Sequence, residues 1–222
     1  MIKIISDNKN YVVCEKPSGL ISEFSENKNI SFPAILSEQL GNAELFTVHR
    51  LDKEVSGIMV YAKNKHAAAA FSQQIQNGSF EKEYVTIVNG RTSPDKAELV
   101  DLLFHDKTKN KTYVVKKKRN GVKEARLKYS LVTYDQSSDS SILRVKLFTG
   151  RTHQIRVQLS FIGHSIHGDR KYGSEIAAKP IRLHSFLLSF YDPDTKHKET
   201  FTSVPEWLDN NASEELYSAT FC

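Results

Sequence analysis

Residues 49–64 read HRLDKEVSGIMVYAKN, with His49, Arg50 and Asp52 packed into four positions before a Ser56-Gly57 turn. The run that follows, Ile58-Met59-Val60-Tyr61-Ala62, is apolar at successive rather than alternate positions. That is the pattern of a strand buried on both faces. A carboxylate and a guanidinium at the mouth of such a strand are costly to desolvate. They are either used chemically or tied up in an unusually placed salt bridge.

The 222 residues suffice for one large domain or a compact two-lobed one. Hydrophobic residues make up 39% and charged residues 26%, an ordinary soluble composition. No apolar run is long enough to cross a bilayer, and the N-terminal MIKIISDNKN has no apolar signal region. Two cysteines, Cys14 and Cys222, argue for a reducing compartment and against a disulfide framework or a cysteine zinc site. A cytoplasmic protein without a membrane partner is the expectation.

The net charge of +5 is unevenly spread. From Lys107 to Lys128 there are ten Lys or Arg against one acid, Glu124, while the remainder holds 21 bases and 25 acids. The basicity therefore sits in one short segment. Such a run is commonly a solvated surface hairpin, but clustered cations also release counterions from a phosphate backbone, which makes the segment a candidate polyanion contact.

No repeat or long linker divides the chain. Tyr11–Cys14 reads as a strand ended by the Lys16-Pro17-Ser18-Gly19 turn. Asn64 is placed to cap a helix running through Gln76, with Ala68, Phe71 and Ile75 on one face and Asn77-Gly78 closing it. Tyr84–Val88 and Ile142–Phe148 read as strands. The basic segment reads as two strands, around Tyr113–Val115 and Ala125–Tyr134, joined as a hairpin through Arg119-Asn120-Gly121. Thr152 is the expected N-cap of a helix carrying Ile155, Leu159 and Ile162 and ending at Gly163. Ile181–Tyr191 and Thr200–Val204 complete the strands. Many strands, few helices and several turns give an α+β class with a mixed, largely antiparallel sheet.

Taken alone, Asp52 serves as nucleophile, general base or half of an ion pair, and the last is the commonest role for a single carboxylate. Arg151 stands at a strand-to-helix junction, where side chains are often displayed into a cleft. Paired with Asp52, it would oppose the effect of burial and keep the carboxylate ionised. The histidines of GHSIHGD (163–169), with His153 and His184, raise a metal site as a rival, but their spacing matches no zinc motif. The absence of GxxxxGK[ST], GxGxxG and GxSxG argues against a nucleotide cofactor and a serine-hydrolase elbow.

Together these stretches resemble the RluA family of RNA pseudouridine synthases, which isomerise uridine within RNA. HRLDKEVSG (49–57) is similar to the family's HRLDxxTSG, and GRTHQIRVQLSFIGHSIHGDRKYG (150–173) to its second hallmark. EKPSG (15–19), EKEYVTIVNG (81–90) and RLHSFLLSF (182–190) follow in family order, so the likeness spans roughly residues 10–205. The resemblance implies the pseudouridine synthase fold, a mixed sheet in two linked halves with an RNA-binding cleft between them. It implies Asp52 as the catalytic nucleophile, Arg151 as its paired arginine and Tyr84 as a stacking residue that helps remove the C5 proton. Arg50 would fill the gap left by a flipped nucleotide, as a planar cation can. His49 is expected to support the loop. Val55 and Leu127 stand where relatives commonly have threonine.

The expected protein is a single catalytic domain over residues 1–222, without a separate N-terminal RNA-binding module. It would act as a monomer on ribosomal or transfer RNA and need no metal, nucleotide or redox cofactor. Lys116, Lys117, Lys118 and Arg119 would form its RNA clamp. A non-catalytic RNA-binding protein or RNA-folding helper, and a metal-dependent hydrolase built on the histidines, are the competing readings.

Overall fold

The structure is a computed structural model that describes residues 1–221, and Cys222 lies outside the described residues. The elements in chain order are β1 (Ile4–Asp7), β2 (Tyr11–Lys16), α1 (Phe32–Gln39), β3 (Phe46–Thr47), β4 (Ser56–Ala62), α2 (Lys65–Asn77), β5 (Glu81–Asn89), β6 (Lys96–Asp106) and β7 (Lys111–Val115). They continue with β8 (Val122–Asp135), β9 (Ser140–Leu147), α3 (Gln154–Phe161), β10 (Leu183–Tyr191), β11 (Lys198–Thr202) and α4 (Asn210–Ser218). Among the described residues no helix is long and apolar enough to cross a membrane. The chain divides into two compact units, Met1–Lys82 with His184–Pro205, and Glu83–Leu183 with the stretch from Glu206 onward.

In the first unit the strands run β1-β2-β4-β10, with β3 also on β4 and β11 on β10. β2 and β4 are antiparallel from Tyr11↔Ala62 to Lys16↔Gly57, whereas β4 and β10 are parallel through Ser56↔His184 and Gly57↔Ser185. The successive apolar residues of β4 have a direct cause. Ile58, Val60 and Ala62 pack with Phe71 of α2, Phe80 and Phe190 in one cluster. Tyr61, on the alternate face, meets Phe32 of α1 with ring centroids 6.0 Å apart. α2 starts and stops where its sequence indicates: the Asn64 side chain accepts from the Ala67 amide at 2.8 Å, and Gly78 closes the helix at φ 78°.

In the second unit the order is β5-β9-β8-β6-β7. The expected hairpin across the basic segment is not formed, because β7 and β8 both pair with β6, one on each side. The Asn120-Gly121 turn exists, with Gly121 at φ 79°, but its chain links strands two places apart. β6 reads KAELVDLLFHD, with charges at both ends and in the middle, and gives no clean period to announce a strand. A local turn signal cannot reveal that a third strand lies between its two flanks.

α3 corrects a second expectation. Its N-cap is His153, held left-handed at φ 55°, and not Thr152. A buried bond between His153 Nδ1 and the Tyr172 hydroxyl, at 2.8 Å, holds this uncommon backbone geometry in place of a side-chain cap. α3 lays Val157 against Leu103, Ala125 and Tyr172.

Candidate functional site

In the first unit, Asp52 lies on the 48–55 loop between β3 and β4, flanked by buried Leu51 and Val55. Its side chain is half-buried, so the desolvation it bears is smaller than the sequence suggested. The backbone of this loop is held by the segment that carries EKPSG. The Ser22 hydroxyl donates to Leu51 O at 2.9 Å and accepts from Leu51 N at 3.1 Å. Gly19 N donates to Lys53 O at 2.7 Å and Ser18 Oγ to Glu54 O at 2.7 Å, while Val55 N closes the turn onto Asp52 O at 3.1 Å. Beneath them, fully buried Lys16 points Nζ at Pro17 O and Leu20 O, at 2.9 and 2.8 Å, and at Lys53 O, at 3.4 Å. Burial pushes its ammonium down to about 7, against the pull of Asp52 and Glu54. The sequence offered EKPSG only as a turn and a short motif. Its role as the cradle of the Asp52 loop depends on contacts roughly thirty or more positions apart.

His49 is buried and supports the loop from the other side. Its Nε2 accepts from Val60 N at 3.3 Å and its ring lies 5.6 Å from Phe80. Burial, aided by the charge of Lys82, pushes its pKa down to about 3, so the ring is neutral. The charge cluster of 49–52 is thus less awkward than it reads. His49 carries no charge, Asp52 is partly solvated, and Arg50 is exposed with Nη1 3.1 Å from Glu23 Oε2.

Where the loop enters β4, Gly57 adopts φ +120° against the backbone of Ser185. Ser56 Oγ pairs with His184 Nδ1 at 2.9 Å, and His184 Nε2 with Ser203 Oγ at 3.1 Å. The RLHS stretch therefore supports the start of the strand behind Asp52.

In the second unit, Tyr84 is buried in β5 beside Glu83, whose carboxylate takes Arg144 Nε at 2.6 Å. Arg151 is exposed ahead of α3 and donates from Nε to Glu124 O at 2.8 Å, which fastens it to β8 just after the basic loop. Gln154, in the first turn of α3, accepts from Arg151 N at 3.0 Å and from Thr149 Oγ1 at 2.8 Å. Behind it, Arg156 grips Asp169 with two bonds of 2.6 and 2.9 Å, both side chains buried, and its guanidinium lies 5.3 Å from the Tyr172 ring. The Tyr172 hydroxyl accepts from Thr112 N at 2.8 Å. Asp169, a member of the rival metal set, is engaged by Arg156, and His164 Nδ1 donates to Asn89 O at 2.8 Å. Lys116, Lys117, Lys118 and Arg119 lie on the β7–β8 connection, all four exposed, with the Arg119 guanidinium 4.9 Å from the Phe104 ring. Asp52 and Arg50 thus belong to the first unit, and Tyr84, Arg151 and the basic loop to the second.

The family model described as RNA pseudouridylate synthase matches residues 10–161, which include Asp52, Tyr84 and Arg151. The chain belongs to the RluA family of RNA pseudouridine synthases. It is 32% identical over 95% of its length to an uncharacterised RNA pseudouridine synthase of Aquifex aeolicus (strain VF5), covering 74% of that protein. It is 33% identical to the dual-specificity RNA pseudouridine synthase RluA of Escherichia coli O157:H7, with 92% and 93% of the two chains covered. The solved structure of human RNA pseudouridylate synthase domain containing 1 superposes with a TM-score of 0.77 at 19% identity over 97% of this chain and 87% of that one, showing the same α+β fold. As an RluA-family enzyme this is an RNA pseudouridine synthase, an isomerase. Its two departures from the family pattern are both apolar and buried, Val55 at 2% exposure and Leu127 at 0%. Packing accommodates them without the hydroxyl that threonine would bring.

Proposed function

We propose that Asp52 is the nucleophile of a uridine isomerisation in ribosomal or transfer RNA. The observation that carries this reading is the cradle of the Asp52 loop: its backbone is fastened at residues 51–54 by Ser18, Gly19, Ser22 and Lys16, so a half-solvated carboxylate is presented on a rigid support. The carboxylate attacks the ribose or the base. The N1–C1′ bond breaks, uracil turns, C5 bonds to C1′, the transient bond to Asp52 breaks and returns the free carboxylate, and the C5 proton leaves as N1 gains one. Atoms and electrons balance within the nucleoside, so no metal, nucleotide or redox group is consumed. Arg151 serves as the cationic partner of the nucleophile. Tyr84 stacks by the target base and assists removal of the C5 proton. Arg50, exposed beside the loop, occupies the space vacated when the uridine leaves its stack. Lys116, Lys117, Lys118 and Arg119 clamp the phosphate backbone. On this reading residues 1–222 work as one catalytic domain, as a monomer, in the cytoplasm.

The test is tritium release from C5-tritiated uridine RNA. Asp52→Asn keeps the shape of the side chain and removes its charge. Release is expected to vanish in this variant while RNA affinity and unfolding midpoint stay at wild-type values. Full release would overturn the assignment.

A further inference from the structure

We propose that the sheet face of the second unit carrying Arg126, Lys128, Lys146 and Phe148 is a stacking surface for unpaired RNA bases. The inference rests on the RNA-modifying reading but concerns a surface remote in sequence from Asp52.

Ladder partners share a face of a sheet. Val100 lies opposite Arg126, Glu98 opposite Lys128, and Lys128 opposite Lys146. The alternate positions, including Leu103 and Ala125, face the other way and pack with Val157 of α3. Around Arg126 the first face is open to solvent and carries large apolar groups, Val100 at 54% exposure and Phe148 at 45%. The Arg126 guanidinium lies 4.7 Å from the Phe148 ring, and Glu98 holds it from the other side as an ion pair. Toward β7, the Arg119 guanidinium lies 4.9 Å from the Phe104 ring, itself opposite Val122 on the same face. At the far end, Phe221 sits 5.5 Å from the Arg144 guanidinium and borders a shallow pocket of about 250 Å³ with Lys96, Glu98 and Lys128.

Aromatic rings alternating with guanidinium planes and ammonium groups are a platform on which bases stack while phosphates meet the cations. Lys96, Arg126, Lys128 and Lys146 outnumber the acids Glu98 and Glu124 on this face, so its charge complements a polyanion. Toward β7 the face is apolar, with Val100, Leu102 and Phe104 at successive same-face positions and Val115 and Tyr113 opposite the last two. Around Arg126 it is cationic, and that cationic part favours a polyanion over a protein partner. A duplex hides its base faces, so the occupant is a single-stranded segment of RNA.

Fluorescence anisotropy of the whole protein with a uridine-free oligoadenylate, and with a uridine-free RNA hairpin of the same length, tests the idea. Phe148→Ala should weaken the oligoadenylate about tenfold and leave the hairpin unchanged, since one base no longer stacks. Phe148→Trp should restore binding, and Lys146→Gln should lower the salt slope by about one unit. Unchanged oligoadenylate affinity in Phe148→Ala, or an equal weakening for the hairpin, overturns the proposal. So does a wild-type dimer that Phe148→Ala converts to monomer, because a second copy then covers the face. Pseudouridine formation is scored separately on a uridine-containing RNA. Its absence would remove the catalytic reading and leave the oligoadenylate result standing.

Discussion

His49 shows how burial decides what a residue does. Its neighbours Arg50 and Asp52 keep access to water, but its own ring is enclosed and accepts the Val60 amide. Its folded pKa, about 3, lies below the ordinary histidine value of 6.5. Between those values the unfolded chain binds a proton that the folded protein refuses. Stability is therefore full above the unfolded pKa and declines as the pH falls through the window, by up to about 1.4 kcal/mol per pH unit. His184, pushed down to about 4 chiefly by burial, adds to the decline in the upper part of that window. His49→Gln keeps an acceptor for Val60 without the titration. Urea unfolding across the window should show a shallower acid decline in this variant. Gly57 carries a different constraint. A Cβ there would stand 2.4 Å from the Ser185 backbone nitrogen and oxygen, and φ +120° is strained for any side chain. Gly57→Ala is expected to cost about 3 kcal/mol or more, read from the denaturation midpoint, because backbone rather than a flexible side chain must yield. The glycine is written in the sequence, but its reason lies in a strand about 128 positions later, the separation of the Ser56–His184 bond beside it.

Among the elements, those with strong local signals were legible. α2 has its cap, its apolar face and its closing glycine in one continuous stretch, and β4 has an unbroken apolar run. α1 and α4 were not legible. FPAILSEQ is short and opens on Phe-Pro, while NNASEELYS is mostly polar and gains its place from two buried side chains, Ala212 and Leu216. α4 is anchored by a distant residue. Arg144 of β9 donates from Nη1 to Leu216 O at 3.0 Å and Ala219 O at 2.7 Å while Nε holds Glu83. Both partners of that ion pair are largely buried, at 13% and 7% side-chain exposure. Arg144→Met leaves the Glu83 charge and the helix carbonyls without this donor, an effect of about 3 kcal/mol for a buried pair. Hydrogen exchange should rise first in 210–218. Uniform exchange across β8, β9 and α4 would contradict this anchoring.

At the scale of the molecule, charge segregation is the property with the clearest consequence. The net +5 arises from the segment around the β7–β8 connection, whose Lys117–Arg119 stretch is exposed. Neutralising Lys116, Lys117, Lys118 and Arg119 together should flatten the dependence of log affinity on log salt by about one unit for each phosphate that no longer meets a cation. Tritium release at saturating RNA should remain. A slope equal to wild type would show that the loop does not clamp RNA. The residues proposed for the chemistry are likewise divided between the units, Asp52 in the first and Tyr84 and Arg151 in the second. Each unit builds its part on its own scaffold, the first through the EKPSG cradle and the second through Gln154 and Glu124.

By itself the sequence determined the α+β class, the buried β4 strand, the α2 helix with both its ends, the basic segment and the family. These rest on interactions within a few residues, or on motifs whose residue order is itself the signal. Only the tertiary structure decided that β6 lies between β7 and β8, that His153 rather than Thr152 begins α3, and that Lys16 is buried under the Asp52 loop. It also decided that Asp52 is half-solvated rather than sealed. Strand order and burial depend on which distant segments share a face once all of them have packed. That free energy belongs to the whole arrangement, and no short window of residues contains it.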